Sequence, residues 1–150
     1  MLNKLNILFL CTGNSCRSQM AEGWTRSMLG EMVDAYSAGI EKKGLNPHAV
    51  RVMQEVGIDI SAQQSKTLEE LGEIPFDFVV TVCGNADANC PSWPDAVTVL
   101  HAPFDDPPHL AADAASDEEA LKHYRRVRDE IAAFVETIPE KLAAGGDGDD

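Results

Sequence analysis

Cys11 and Arg17 bracket the five residues Thr-Gly-Asn-Ser-Cys, and this C-x5-R element joins an apolar run, Asn6 to Leu10, to a segment in which Met20, Trp24 and Met28 recur every fourth residue. The run reads as a strand buried on both faces, and the spacing predicts a helix from about Ser15 to Gly30. A loop this short between strand and helix can curl until successive backbone N–H groups point inward, making an anion-binding nest at the positive end of the helix. Gly13 permits the backbone angles required. Thr12, Gly13, Asn14, Ser15, Cys16 and Ser18 would then surround the anion, and Arg17 would fork two N–H bonds onto a tetrahedral oxyanion. The same field favours thiolate at Cys11, which makes it a nucleophile. Burial of Cys11 as an ordinary core residue is the competing account, and it gives Gly13, Arg17 and Ser18 no role. Cys16 is expected to contribute mainly backbone, and the Asn14 side chain to hydrogen-bond across the loop.

Downstream, strands and helices alternate. Val33 to Ala38 predicts a second strand, and Asn46-Pro47 supplies an N-cap and a first-turn proline for a helix turning Val50, Met53 and Val56 to the core and closing at Gly57. Thr67 and Glu70 fit a capping box for a small helix through Leu71. "FDFVVTVC" and "AVTVLHAPF" predict two further strands, and "DDPPHLAADAA" an exposed loop, on the ground that its two prolines exclude regular structure. Ser116 and Glu119 fit a second capping box, opening a last helix whose apolar face carries Leu121, Tyr124, Val127, Ile131, Phe134 and Ile138. Residues 1–140 are expected to form one domain, and 141–150 an acidic disordered tail. The pattern predicts an α/β fold in which a four-stranded parallel sheet is flanked by helices and binds ligands beyond the carboxyl ends of its strands. Cys11, Cys83 and the Asp105-Asp106 pair would gather at that edge.

The formal net charge is -13, which argues against nucleic acid or an anionic membrane as a partner and requires any anion to be held by a local pocket of donors. ILFL is too short to span a bilayer and no cleavage site follows, so the reducing cytoplasm is the expected compartment. Four cysteines there are more simply catalytic, metal-binding or inert than permanently bridged.

"CTGNSCRS", "YSAGI", "NPHAV", "VVTVCGNADANCP" and "FDDP" together resemble the thioredoxin-coupled arsenate reductases, which share the fold and phosphate loop of low-molecular-weight protein tyrosine phosphatases. The resemblance covers about residues 5–135. It implies that Cys11 attacks arsenate held by the loop and Arg17, with phosphate or sulfate as mimics, while Asp106 protonates the departing oxygen. It further implies a redox relay in which Cys83 attacks Cys11 and Cys90 then attacks Cys83, leaving a disulfide that thioredoxin reduces. No cofactor or metal is implied, and a monomer is expected. The relay requires residues 83 to 90, which are small and polar, to rearrange on oxidation.

Two rival readings use the same residues. A tyrosine phosphatase would share the loop, but Pro-His-Leu-Ala follows Pro107 where that group carries tyrosines, and the paired cysteines would have no purpose. Structural zinc on the C-x4-C and C-x6-C spacings would leave Arg17 without a role. The resemblance also implies a potassium site in some relatives, matched here by Asn14, Glu22 and Ser37. The remaining position, acidic in those relatives, is Lys66 here, whose ammonium would repel potassium and neutralise Glu22 itself.

Overall fold

The computed structural model describes residues 4–82 and 97–146, the last three as backbone only. Its strands are β1 (Leu5–Cys11), β2 (Val33–Gly39), β3 (Phe78–Thr81) and β4 (Thr98–His101). They form one parallel sheet in the order β2-β1-β3-β4. The helices are α1 (Arg17–Leu29), α2 (Pro47–Glu55), α3 (Leu68–Leu71), α4 (Pro107–Leu110), α5 (Asp117–Glu136) and α6 (Ile138–Gly146). They flank the sheet as the alternating pattern predicts. Ile7, Leu8, Phe9 and Leu10 are at most 1% exposed. Full burial of each such side chain contributes about 1.5–3 kcal/mol, so the central position of β1 follows from its lack of a polar face.

Pairing continues past the formal strand ends on the side where the loop lies. Val82 N–H donates to the Leu10 carbonyl at 3.0 Å, Ala102 N–H to Thr81 at 2.8 Å and Phe104 N–H to Val82 at 3.1 Å. These bonds bring the chain ahead of Cys83 and the chain ahead of Asp106 to the edge where Cys11 ends β1.

The expected caps of α2 and α3 form. Asn46 Oδ1 accepts from the N–H groups of His48 and Ala49, Thr67 and Glu70 complete a capping box, and Gly57, at φ +83°, closes α2. Gly57 N–H binds the Gln54 carbonyl and Ile58 N–H the Met53 carbonyl, a reciprocal closure that favours glycine at the left-handed position.

Several expectations are corrected. On α2, Met53 is buried and Val50 packs half-buried against the core as expected, but Ala49 and Val52 complete the buried face and Val56 is exposed. A stripe at every third residue drifts around a 3.6-residue helix, and Val56 already stands at the cap. The segment after Asp106 is not irregular: its prolines open α4, because the first helical turn needs no N–H donors. Ser116 Oγ accepts from Glu119 N–H, but Glu119 Oε1 takes the Ala115 N–H, so only half of the second box forms. The final apolar face is split between two helices at Thr137, whose hydroxyl bonds the Phe134 carbonyl at 2.6 Å. Helix continues through Gly146, beyond the expected domain end at residue 140, because Leu142 follows Ile138 by one turn and both are buried. Residues 147–150 of the expected tail lie outside the described residues.

Candidate active site

Every carbonyl from Cys11 to Cys16 has a donor outside the loop. Ile40, Glu41, Lys43 and Asn46 donate their N–H groups to Cys11, Thr12, Gly13 and Ser15 at 3.0–3.2 Å, and Met20 donates to Cys16 at 2.9 Å. Asn14 takes the Gln19 side-chain amide at 3.0 Å, and Gly13 a second bond from Ser65 Oγ at 3.1 Å. In a trans peptide the next N–H points opposite to the carbonyl, so carbonyls drawn outward turn the amides of residues 12–17 inward. No cis peptide occurs among the described residues. The segment after β2 therefore builds the anion nest from behind. At its end, α1 begins with no side-chain cap and no acidic residue in its first turn, which leaves its positive pole for a ligand.

Asn14 holds the loop's shape. It is fully buried at φ +48°, accepts from Gln19 Nε2 at 3.0 Å and Lys66 N–H at 2.8 Å, and donates to Ser18 Oγ at 2.9 Å. This is the cross-loop bonding expected of it. Asn14 and Ser18, expected among the residues around the anion, do not line the cavity in front of the loop.

That cavity, of about 450 Å³, is lined by Cys11, Thr12, Gly13, Ser15, Cys16 and Arg17, together with Lys43, Asn46, Asp106 and Pro108. Arg17 Nη1 donates to the Phe104 carbonyl at 2.9 Å, and Nη2 lies 3.4 Å from Asp106 Oδ1. Its Nε is buried with no hydrogen-bond partner among the described residues. A buried N–H left unmade costs about 1–3 kcal/mol, and an oxyanion in the cavity would satisfy it. Burial pushes the Cys16 thiol far above the ordinary cysteine range, against the lowering effect of Arg17, so Cys16 stays protonated at neutral pH. It lines the cavity as a thiol, not as a second nucleophile.

Asp105 and Asp106 have different surroundings. Asp106 lines the cavity beside Arg17, while Asp105 accepts from Arg126 Nη2 at 2.8 Å. Cys83 and Cys90, and with them the expected rearrangement of residues 83 to 90, lie outside the described residues.

Sequence reading missed Lys43, Asn46 and Pro108 as cavity residues. Asn46 was legible only as a helix cap; its Nδ2 also donates to Tyr124 Oη at 3.2 Å. Lys43 carries no motif, and its place follows from the way its N–H is tied to Gly13.

Behind the loop, Glu22 is buried and already neutralised. Arg26 Nη2 pairs with its Oε2, Ser37 Oγ donates to Oε1 at 2.5 Å, and Lys66 Nζ stands 3.9 Å from Oε1. Two cations on one carboxylate do not fit a potassium ion there, in accord with the reading of Lys66.

Comparison with known proteins agrees with this geometry. The family model for low molecular weight phosphotyrosine protein phosphatases matches residues 6–145. The arsenate reductase of Bacillus subtilis (strain 168) is 53% identical over 140 residues, covering 93% of this chain and 98% of that protein. A solved arsenate reductase in the oxidized state is 32% identical with a TM-score of 0.75, covering 91% of this chain and 98% of its own. Another, in the phosphate binding state, is 30% identical with a TM-score of 0.73, covering 92% and 98%.

Proposed function

Because the chain belongs to the low molecular weight phosphotyrosine protein phosphatase family, we propose that it uses this family's loop as an arsenate reductase, converting arsenate to arsenite. The observation that carries the oxyanion site is the loop itself: six carbonyls bonded outward around a buried Arg17 Nε that has no hydrogen-bond partner among the described residues. Identity near one half to arsenate reductases over nearly the whole chain favours reduction over ester hydrolysis. No aromatic side chain lines the cavity among the described residues, which suits a small inorganic anion better than an aryl ester.

Cys11 thiolate attacks arsenic, and the displaced oxygen leaves as water after taking a proton from Asp106. Cys83 thiolate then attacks the Cys11 sulfur. The sulfur–arsenic bonding pair passes to arsenic, arsenic(V) becomes arsenic(III), and arsenite departs as a Cys11–Cys83 disulfide forms. Cys90 next attacks Cys83 and releases Cys11 as thiolate, and the thioredoxin dithiol reduces the Cys83–Cys90 disulfide. The main-chain bond from Val82 to Leu10 supports this order, because it sets the residues preceding Cys83 and Cys11 on adjacent paired segments. No helix among the described residues is long and apolar enough to cross a membrane. A cytoplasmic monomer with no metal or organic cofactor completes the proposal.

The test is arsenate-dependent NADPH consumption with purified thioredoxin and thioredoxin reductase. Sustained turnover by the wild type, with no more than one turnover by Cys90→Ser, is expected. Steady hydrolysis of an aryl phosphate without arsenate-dependent turnover would establish the phosphatase reading instead.

A further inference from the structure

Lys42 and Lys43 stand side by side after β2 and have different partners. Lys42 Nζ is 2.6 Å from Glu70 Oε2, the glutamate of the α3 capping box. Lys43 makes a looser pair, 3.7 Å from Glu41 Oε2 with both side chains 60% exposed, and it is the lysine that lines the cavity. Its backbone is fixed by the 3.0 Å bond from its N–H to the Gly13 carbonyl. Its stem crosses the loop at Gly13, where an added Cβ would lie 2.9 Å from Lys43 Cδ and 3.0 Å from Cγ. The absence of a side chain at residue 13 thus makes room for the lysine.

The charges explain why a second cation matters. Arg17 is already shared with the Phe104 carbonyl and Asp106. A dianionic oxyanion adds two negative charges to a cavity bordered by the Asp106 carboxyl, in a chain of net charge -13. Among the described lining residues Lys43 is the other permanent cation, and its pair with Glu41 is open enough to exchange.

We propose that Lys43 is a substrate-binding residue whose ammonium leaves Glu41 to pair with the solvent-facing oxygen of a dianionic tetrahedral oxyanion held by the loop. Lys43 thereby sets the affinity of the site for small inorganic dianions. This rests on the oxyanion-site part of the proposed function and is independent of the thiol relay.

Calorimetric titration of the reduced full chain with inorganic phosphate at neutral pH tests it without turnover. Lys43→Met is expected to weaken phosphate by about tenfold and to flatten the salt dependence of binding, as loss of one partly exposed charge pair to the ligand requires. Lys43→Arg is expected to stay within about threefold of the wild type, and Lys42→Met to bind as the wild type does. Equal phosphate affinity in Lys43→Met and wild type would overturn the proposal alone, as would equal losses in Lys43→Met and Lys43→Arg, which would mark a packing role. No phosphate binding by the wild type would overturn the oxyanion site, and this proposal with it.

Discussion

Arg126 on α5 donates from Nη2 to Asp105 Oδ2 at 2.8 Å, tying the segment that carries Asp106 to the longest helix of the fold. Asp106, one residue on, lies beside Arg17 in the cavity. At φ -88° and ψ 105° its backbone is extended, and extended backbone sends successive side chains to opposite sides. The outer carboxylate is thus an anchor for the inner one. On the proposed acid role of Asp106, Arg126→Ala is expected to lower kcat for arsenate about three- to tenfold through misplacement of that carboxyl, with KM little changed and Arg126→Lys largely restoring the rate. Asp106→Asn should cost about 10²- to 10⁴-fold in kcat. Steady-state kinetics of the three variants decide it; an Arg126→Ala effect confined to thermal stability would refute the anchoring role.

Cys16 offers a contrast within the loop. Its thiol is held protonated by burial, so Cys16→Ser should retain turnover within about fivefold and leave the shape of the pH–rate profile unchanged. Cys11→Ser should abolish turnover. A shifted alkaline or acid limb in Cys16→Ser would show that Cys16 ionises in the working range.

Asn14 combines a left-handed backbone with three side-chain bonds in a fully buried position. Asn14→Ala should destabilise the chain by about 2–4 kcal/mol, since it leaves buried partners unpaired and puts alanine at positive φ. Asn14→Gly, which relieves only the backbone, should recover part of that. Denaturant midpoints measure both, and equal losses would mean that the backbone angle is not strained in the variant.

Potassium should have little effect. Because Lys66 and Arg26 already neutralise Glu22, replacing sodium with potassium at fixed ionic strength should change kcat/KM by less than about twofold. Lys66→Gln should make the enzyme potassium-responsive. A large potassium activation of the wild type would show that Lys66 swings away from Glu22.

Glu55 links α2 to α5 through Arg125 and Arg128 at 2.9 and 3.0 Å. The hydrogen bond from Arg125 is the largest influence holding its carboxyl below the usual glutamate range. A carboxylate depressed by folding contributes stability above its unfolded pKa and loses it as pH falls through the folded value. Glu55→Gln should therefore lower stability at neutral pH by about 1 kcal/mol, the modest figure reflecting solvent screening, and narrow its difference from wild type in acid. Thermal melts from neutral to acid pH test this; a difference constant with pH would assign the effect to packing.

Much of the fold was written in local chemistry. The unbroken apolar run of β1, the Asn46 and Thr67 caps and the Gly57 closure each act over a few residues, so periodicity and capping rules reach them. Errors fell where two local rules compete. Two adjacent prolines exclude most regular structure but fit a first helical turn, which is where those after Asp106 lie, and Thr137 carries no strong stop signal, so the apolar stripe alone runs Ile138 into the helix before it. Val56 matched the apolar stripe but stood where the helix ends.

The sequence by itself determined the loop cysteine, the arginine and the strand–loop–helix that joins them, because a six-residue separation constrains them covalently. It also determined a parallel sheet, since alternating elements admit little else, and with it the edge where Asp106 and Cys11 border one cavity. Only the tertiary structure decided that residues 40–46 bond the loop carbonyls from outside, that Lys43 rather than Lys42 borders the cavity, and that Arg126 anchors Asp105. Those contacts join residues 21 to 31 positions apart and depend on backbone direction and side-chain reach after packing, which no local pattern encodes.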